Sequence, residues 1–371
     1  MGILWPTRDG QGTPAPEGMR LVRLLYRADG GHPIGTGHLC RAVRILTALS
    51  EHGPLDAVLL TSRDEGALRI AQEAPARVEM LPRGTRPCGV KPRLTAAPVL
   101  EAAARHRPDV IVVDMLDTPG EAMAALAGHG RPLVTFDDRG GGRVHADLLV
   151  NVLVVDPAPQ RLSHQTRLLE GPPYAVLDRV FAAARQSMPE REFGPVESVC
   201  VAMGGADAAG LTVKVARALR GVAHLRRVQF CCGTAFPHRA ALDAVLVDAP
   251  WVYEVYAGLP NLLDRYVAAD VAMVAGGLTM YETCVTGTPA IAVCQPIDHQ
   301  FELAARLADA GCMLTVGYGL DASEASIRGA LAALAADPER RRAMSNAGRA
   351  LVDGNGTERV ASAIAGCALA R

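Results

Sequence analysis

The sequence contains 371 residues with a formal net charge of −1 at pH 7, and 49% of its residues are hydrophobic. This charge balance gives no electrostatic footprint for nucleic acid or for an anionic membrane surface, and no apolar run reaches the length of a transmembrane helix. The length predicts two domains, and the apolar content is sufficient for each domain to bury a core.

The first residues and the cysteines indicate the compartment. Residues 1–18, MGILWPTRDGQGTPAPEG, contain no signal-peptide core, and they predict a disordered lead-in. The nine cysteines show no Cys-x-x-Cys spacing typical of a metal site, and most of them lie in apolar runs. This pattern indicates buried free thiols in a reducing compartment, so we expect a cytoplasmic protein.

Short apolar runs alternate with amphipathic stretches in the first half of the chain. The predicted strands are Leu21–Tyr26, Ala57–Thr61, Arg77–Leu81, Val110–Asp114, Leu133–Asp137 and Leu148–Val152. The predicted helices between them are Cys40–Glu51, Glu65–Glu73, Thr95–Arg105 and Pro119–Ala127. The alternation falters over residues 156–195, where Pro, Gln and Arg are frequent.

The same alternation resumes in the second half. The predicted strands are Val199–Met203, Arg227–Cys232, Trp251–Glu254, Val271–Val274, Ala290–Val293 and Met313–Val316. The predicted helices are Leu211–Arg220, Pro260–Ala268, Thr279–Thr286, Phe301–Ala310, Ala322–Ala335 and Glu358–Ala370. Alternation of this kind predicts an α/β protein with two doubly wound, Rossmann-like domains, residues 19–185 and 186–371. The cleft between two such domains is the expected ligand site.

The stretch YRADGGHPIGTGHLCR, from Tyr26 to Arg41, joins the first predicted strand to its helix. It lacks the third glycine of a dinucleotide fingerprint, because Cys40 occupies that position. His38 begins the helix, so its ring is predicted to face the cleft and to act as a general base, with a surface histidine as the alternative. Arg27, Asp29 and Gly37 flank it, whereas Arg41 is compatible with a solvated position.

The stronger signal is AGGLTMYETCVTGTPAIAVCQPIDHQ, from Ala275 to Gln300. Gly276 and Gly277 follow a strand and precede a helix, which is typical of a backbone site for a diphosphate at a helix N-terminus. Leu278 and Thr279 belong to this predicted site, and Thr279 is predicted to cap the helix. Glu282 is predicted to accept hydrogen bonds from a ribose diol, with a capping-box partner of Thr279 as the alternative.

Two further segments are predicted to face the same cleft. Asp298, His299 and Gln300 follow the strand that contains Ala290, and a second glycine pair, Gly204 and Gly205, follows the first strand of the second domain. We expect the glycine pair to contact the same diphosphate. We expect the nucleotide base to lie against backbone in the segment Tyr256–Leu262.

These motifs together resemble a known group of enzymes. GGLT-x-x-E, G-x-P and P-x-x-HQ resemble the nucleotide-sugar half of GT-B glycosyltransferases. The whole set is similar to the group that contains the UDP-sugar hydrolase of pseudaminic acid biosynthesis and the spore-coat polysaccharide protein. The additional matches are RAD…GTGHLCR, VVD ending at Asp114, DDRG…HADLLVN, GPPYAVLD and MGGAD. The resemblance as a whole spans about residues 22–320.

The resemblance implies roles for individual residues. His38 matches the histidine at the reaction centre of the hydrolase, Glu282 matches the ribose ligand, and residues 276–279 match the diphosphate loop. Beside these roles, Asp29 and Asp114 are further catalytic candidates, and Arg27, Gly37, Tyr281, His299 and Gln300 are candidates for contacts with sugar or acceptor.

The chain departs from the hydrolase at two places near the reacting sugar. Met115 and Leu116 replace a His-Tyr pair, and Tyr281 replaces an asparagine. The loss of the tyrosine suggests a less polar pocket for the sugar or the acceptor. The predicted function is therefore transfer of a sugar from a nucleotide-sugar donor to a small-molecule acceptor.

Three alternatives remain at this point. They are a nucleotide-sugar hydrolase, a non-catalytic nucleotide-sugar binding protein, and an epimerase that uses carboxylates such as Asp29, Asp114 and Asp138. Retention of His38 argues against the binding protein. No Asp-x-Asp motif stands out, so we expect neither a cofactor nor a required metal, because backbone amides and a helix dipole can stabilise the leaving diphosphate.

Overall fold

The computed structural model describes residues 20–30, 35–81, 93–153, 162, 165–234 and 236–370. The lead-in predicted for residues 1–18 lies outside the described residues. The described chain forms two parallel sheets flanked by helices, and this architecture confirms the predicted α/β class.

The first sheet contains seven parallel strands in the order β3-β2-β1-β4-β5-β6-β7. The strands are β1 (Val22–Ala28), β2 (Leu55–Thr61), β3 (Arg77–Met80), β4 (Val110–Asp114), β5 (Leu133–Phe136), β6 (Leu148–Asn151) and β7 (Arg167–Glu170). The central strands are apolar runs buried on both faces, as expected for a parallel sheet covered by helices. The edge strand β7 was not predicted, because three of its four residues are exposed.

The helices of the first domain cover both faces of this sheet. They are α1 (Gly37–His52), α2 (Glu65–Ala71), α3 (Ala96–His106) and α4 (Gly120–Ala127). Helix α1 packs through Leu39, Ala42, Ile45, Leu46 and Leu49, all of which are buried. This spacing of three and four residues is the apolar stripe that a helix needs to cover a sheet.

The order of the strands reverses between β1 and β4, which lie side by side with Ala28 opposite Asp114. Ligands of open parallel sheets bind at such a reversal, outside the carboxyl ends of the strands. The loop after β1 leads directly into α1. The topology therefore brings the start of α1 next to the end of β4.

The second sheet contains six parallel strands in the order β10-β9-β8-β11-β12-β13. These strands are β8 (Ser198–Ala202), β9 (Arg227–Cys232), β10 (Val252–Ala257), β11 (Val271–Val274), β12 (Ala290–Cys294) and β13 (Leu314–Tyr318). The order reverses between β8 and β11, so the loops that follow these two strands, each with a glycine pair, lie at the second reversal.

The remaining helices cover the second sheet and connect the domains. They are α5 (Arg179–Ser187), α6 (Leu211–Leu219), α7 (Arg239–Leu246), α8 (Leu263–Ala268), α9 (Leu278–Thr286), α10 (Asp298–Asp309), α11 (Glu324–Ala336), α12 (Pro338–Leu351) and α13 (Gly356–Leu369). Helices α5, α7 and α12 were not predicted. Helix α10 begins at Asp298 and not at Phe301, so the polar residues expected after the strand form the first turn of the helix.

The last helix returns to the first domain. Helix α13 packs along α1, and the Thr357 hydroxyl donates a hydrogen bond to the Leu177 carbonyl. His52 at the end of α1 pairs with Glu358. The first domain is therefore completed by the C-terminal segment of the chain. None of the helices that the structure describes is both long and apolar enough to cross a membrane.

Gly356 provides a test of this docking. A Cβ atom at Gly356 would lie 2.2 Å from the Ala175 carbonyl oxygen, whereas a Cβ at Gly366 on the same helix would meet no described atom within 4 Å. Gly356→Ala should lower the free energy of unfolding by about 1–3 kcal/mol through overpacking against backbone. Thermal melting measures the effect. Gly366→Ala is the matched control, and equal melting temperatures for the two variants would contradict the docking.

Candidate active site

A buried network of charges surrounds His38 at the reversal of the first sheet. His38 Nδ1 lies 2.7 Å from Asp114 Oδ1, and the Tyr26 hydroxyl donates to Asp114 Oδ2 at 2.9 Å. Arg41 Nε donates to the same Oδ2 at 2.8 Å, and Nη1 of the same guanidinium pairs with Asp137 Oδ2. The register of β1 and β4 and the start of α1 together produce this arrangement.

The charges of this network fix the role of each His38 nitrogen. Burial alone would raise the pKa of Asp114, but the charges of Arg41 and His38 hold it well below its ordinary value. Asp114 is therefore an acceptor only. Arg41 Nη2 also lies 3.3 Å from His38 Nδ1, but this nitrogen donates to Asp114 Oδ1. We therefore assign His38 Nδ1 as the donor in the shorter hydrogen bond to Asp114. In the neutral ring, Nε2 then carries the lone pair. The His38 side chain is 21% exposed, and Nε2 can accept a proton from a ligand.

Arg41 corrects one expectation from the sequence. It is not solvated but 3% exposed, and its guanidinium lies 4.7 Å from the centre of the Phe136 ring. Asp137, which it pairs with, adopts a left-handed backbone with φ of 47°. The other oxygen of Asp137 accepts hydrogen bonds from the amides of Val152 and Leu153. Arg41, Asp137 and Tyr26 are thus site residues that the motif analysis missed.

Arg27 and Asp29 form a separate buried pair. Arg27 Nη2 donates to Asp29 Oδ2 at 2.6 Å, and Asp29 Oδ1 accepts from the Ser62 amide at 2.9 Å. Burial opposes ionisation, but Arg27 and Ser62 outweigh it and lower the pKa of Asp29. The hydrogen bonds described for these two residues do not join them to His38 or Asp114. Their roles in catalysis and sugar binding stay predictions, and Asp114 is the carboxylate that contacts His38.

One glycine of each pair in the second domain has open space where a side chain would lie. Gly204 and Gly277 have φ of +91° and +106°, which L side chains rarely adopt, and a Cβ on either would meet no described atom within 4 Å. Gly277 precedes α9 and no side chain caps this helix, so its first amides are available to an anion. Thr279 is not the cap that the sequence predicted, because its hydroxyl donates to the Ala275 carbonyl at 3.0 Å.

Gln300 and His299 lie on the first turn of α10, beside this loop. A Cβ on Gly276 would fall 2.1 Å from Gln300 Cβ, so the glutamine lies directly over the glycine. Gln300 Oε1 is buried and has no hydrogen-bond partner among the described residues, which leaves an acceptor for a ligand hydroxyl. Burial lowers the pKa of His299 to about 4, so this ring is neutral at pH 7.

The two domains contact each other around these loops. A Cβ on Gly205 would lie 2.6 Å from Thr36 Oγ1, so the loop after β8 meets the residue that precedes Gly37 and α1. The Tyr281 hydroxyl donates to the Val152 carbonyl at 2.8 Å, and this residue is 1% exposed. Tyr281, predicted to contact sugar or acceptor, is therefore an interdomain contact in this structure.

Glu282 is also buried at the domain boundary. Its Oε1 lies 3.5 Å from Arg44 Nη2 of α1, and burial raises its pKa against the opposing charge of Arg44. The capping-box alternative does not fit, because Thr279 bonds Ala275 and Glu282 pairs with Arg44.

In the segment Tyr256–Leu262, which is expected to lie against the nucleotide base, the Tyr256 hydroxyl accepts a hydrogen bond from Arg265 Nη1 at 2.6 Å.

The described part of the chain contains no group of three or more His, Cys, Asp and Glu side chains that could hold a metal ion. The eight cysteines that the structure describes form no disulfide bonds.

The fold of this chain is similar to that of known structures. MurG of Acinetobacter baumannii has a TM-score of 0.65 at 17% identity, with 93% of this chain and 99% of MurG covered. The glycosyltransferase VinC in complex with dTDP has a TM-score of 0.64 at 15% identity, with 94% of this chain and all of VinC covered. These similarities confirm the predicted GT-B fold with its interdomain cleft.

The sequence of this chain is also similar to that of a known protein. No protein-family model matches the chain. The chain is 26% identical over 339 residues to the spore coat polysaccharide biosynthesis protein SpsG of Bacillus subtilis, and the alignment covers 90% of this chain and 95% of SpsG. The predicted resemblance to the group of GT-B proteins that contains the spore-coat protein is therefore confirmed.

The ion-pair network around Arg41 yields a prediction on stability. Arg41→Met should lower the free energy of unfolding by about 3–5 kcal/mol at neutral pH, since it leaves the buried carboxylates of Asp114 and Asp137 without their shared cation. Urea unfolding measures this loss. Arg105→Met, which removes a 54% exposed arginine paired with Glu79, is the control.

The pH dependence of this loss has a defined sign. The lowered pKa of Asp114 contributes stability above the unfolded value of about 3.9, and this contribution disappears as the pH falls through the folded value. The deficit of Arg41→Met should therefore be largest near neutral pH and should shrink below about pH 4. A deficit no larger than that of Arg105→Met at neutral pH would contradict the network.

Proposed function

We propose that the chain is an enzyme that cleaves the anomeric C–O bond of a nucleotide-sugar and transfers the sugar to a small-molecule acceptor. The observation that carries this proposal is the His38–Asp114 pair at the strand reversal of the first domain, close to where the Gly204–Gly205 loop of the second domain meets Thr36. VinC, which has a similar fold, is a glycosyltransferase in complex with dTDP, and this supports a nucleotide ligand.

In the proposed reaction the second domain holds the leaving group. The backbone amides of Gly277, Leu278 and Thr279 and the N-terminus of α9 bind the diphosphate, assisted by the Gly204–Gly205 loop. Glu282 accepts hydrogen bonds from the ribose diol. His299 and Gln300 contact the sugar, where a neutral His299 and the free Gln300 Oε1 offer uncharged hydrogen-bonding groups. Stabilisation of the diphosphate by these groups requires no metal.

In the first domain, His38 activates the acceptor. Its Nε2 removes the proton from an acceptor hydroxyl, thiol or amine as that atom attacks the anomeric carbon. The anomeric C–O bond breaks, and its electron pair leaves with the nucleoside diphosphate. Asp114 stabilises the imidazolium that forms, in the way that a buried carboxylate supports a catalytic histidine.

The two apolar residues that follow Asp114 support a non-water acceptor. Met115 is buried in the apolar core and Leu116 is half-buried, where the resembling hydrolase has a polar pair. This difference favours transfer over hydrolysis. Incubation of one donor with and without candidate acceptors separates the two, because hydrolysis releases free sugar at the same rate in both mixtures.

His38→Asn should reduce turnover by about 10²–10⁴-fold, because it removes the general base. UDP affinity should be unchanged, since His38 contacts neither the base nor the ribose in this arrangement. Turnover with saturating donor, calorimetric UDP binding and thermal melting measure the effect, after the donor is found among UDP-, GDP-, CDP- and dTDP-sugars.

His106→Asn is the control for the loss of a histidine, because His106 also pairs with a carboxylate, Glu79, but lies on α3 outside the cleft. Full turnover by His38→Asn, or a defect explained entirely by reduced thermal stability, would remove His38 from the mechanism. A wild type that turns over none of the donors would refute the proposed function.

Glu282→Gln should weaken UDP binding by about 10- to 150-fold, because a hydrogen bond to a charged group contributes about 1.5–3 kcal/mol. The loss should be smaller for 2′-deoxy-UDP, which has only one of the two ribose hydroxyls. Calorimetric titration with both nucleotides measures this difference. Glu197→Gln, which alters a 43% exposed glutamate of the same domain, is the control. Equal losses for both nucleotides would refute the ribose role.

A further inference from the structure

Arg44 extends from the first domain to the residue that the proposed function assigns to the ribose. It follows His38 and Arg41 on α1 at intervals of three residues, so the three side chains lie on neighbouring faces of one helix. Arg44 Nη1 donates to the Val176 carbonyl at 3.1 Å, and its Nη2 lies 3.5 Å from Glu282 Oε1. One end of the guanidinium is thus anchored while the other faces the carboxylate.

Glu282 is in a position where an isolated carboxylate would take up a proton. Its side chain is 7% exposed, and burial raises its pKa. The titratable groups that face it from every neighbouring element are Arg44 and Cys40 on α1, Asp178 at the start of α5, Tyr266 on α8 and Cys200 on β8. Arg44 is the cation within this set.

The other groups of this set do not replace Arg44. The pKa values of the Cys40, Cys200 and Tyr266 side chains are raised by burial or by neighbours, so these groups are neutral at pH 7. Asp178 carries the same sign of charge as Glu282 and opposes its ionisation. The charge of Arg44 is therefore the interaction that most favours the Glu282 anion.

The charge of Glu282 matters for the ligand. Both hydroxyls of a ribose diol donate hydrogen bonds to a carboxylate, which accepts through both oxygens. A protonated carboxyl group has its own O–H donor and offers less acceptor capacity to the diol. The Tyr266 hydroxyl is buried next to Glu282 and favours its anion, but it is a neutral group and cannot replace the charge of Arg44.

We propose that Arg44 is a positioning residue of the nucleotide site, which holds Glu282 as an oriented anion for the ribose diol from across the domain boundary. This inference rests on the proposed ribose role of Glu282. It assigns α1 two functions: its first turn presents His38 to the acceptor, and its second turn supports recognition of the nucleotide. The nucleotide site is therefore incomplete without the first domain.

The experiment compares the binding of UDP and 2′-deoxy-UDP across a range of pH. The ratio of their dissociation constants reports recognition of the diol, because ionisation of the diphosphate affects both nucleotides equally. In Arg44→Met the pKa of Glu282 should rise, since its compensating cation is gone. The preference for UDP should then fall as the pH decreases, and it should fall at a higher pH than in the wild type.

Two variants separate positioning from a merely structural role. Arg44→Lys retains the cation and should keep the pH profile of the wild type, even if its affinity is lower. Arg179→Met removes a 66% exposed arginine of α5 near the same boundary, and it should leave the profile unchanged. Thermal melting of each variant confirms that the comparison is made on folded protein.

The outcomes distinguish this inference from the function on which it rests. If the wild type binds both nucleotides equally, the ribose role of Glu282 fails. If the wild type prefers UDP and Glu282→Gln loses that preference, the ribose role holds. An Arg44→Met variant with the pH profile of the wild type would then overturn the role of Arg44 alone.

Discussion

The cleft depends on one buried guanidinium that two carboxylates share. Arg41 lies between Asp114 at the end of β4 and Asp137 after β5, and all three side chains are almost fully buried. Burial of a single charge is costly, but these groups compensate one another through direct hydrogen bonds. Because Asp114 also contacts His38, and Asp137 accepts hydrogen bonds from the amides after β6, the same charges hold the His38 ring in place.

The two domains contribute different physical elements to the cleft. The first domain supplies side-chain charges at its strand reversal, whereas the second supplies glycine backbone and the N-terminus of α9. Contacts from α9 join these halves: Tyr281 bonds the Val152 carbonyl, and Glu282 faces Arg44. Val152 also donates its amide to Asp137, so the boundary between the domains is continuous with the charge network around His38.

Local sequence patterns predicted the fold and the two glycine-pair loops. Buried parallel strands occur in a sequence as apolar runs, and a glycine pair after a strand is typical of a loop that a ligand approaches. The same patterns missed β7, where three of four residues are exposed, and α12, whose first residues are mostly charged. The sequence analysis expected Arg41 to be solvated, because a local pattern cannot show that two carboxylates far away in the sequence surround it. Arg44 and Tyr281 contact the opposite domain, and no local pattern carries that information.

The central claim is that Asp114 fixes the His38 ring so that Nε2 carries the lone pair in the cleft. Nitrogen-15 NMR of labelled histidine, recorded for the wild type and for Asp114→Asn at a pH where the ring is neutral, tests this claim most directly. The structure predicts that His38 in the wild type is protonated at Nδ1 and unprotonated at Nε2, and that Asp114→Asn loses this preference. A wild-type His38 protonated at Nε2 would contradict the mechanism.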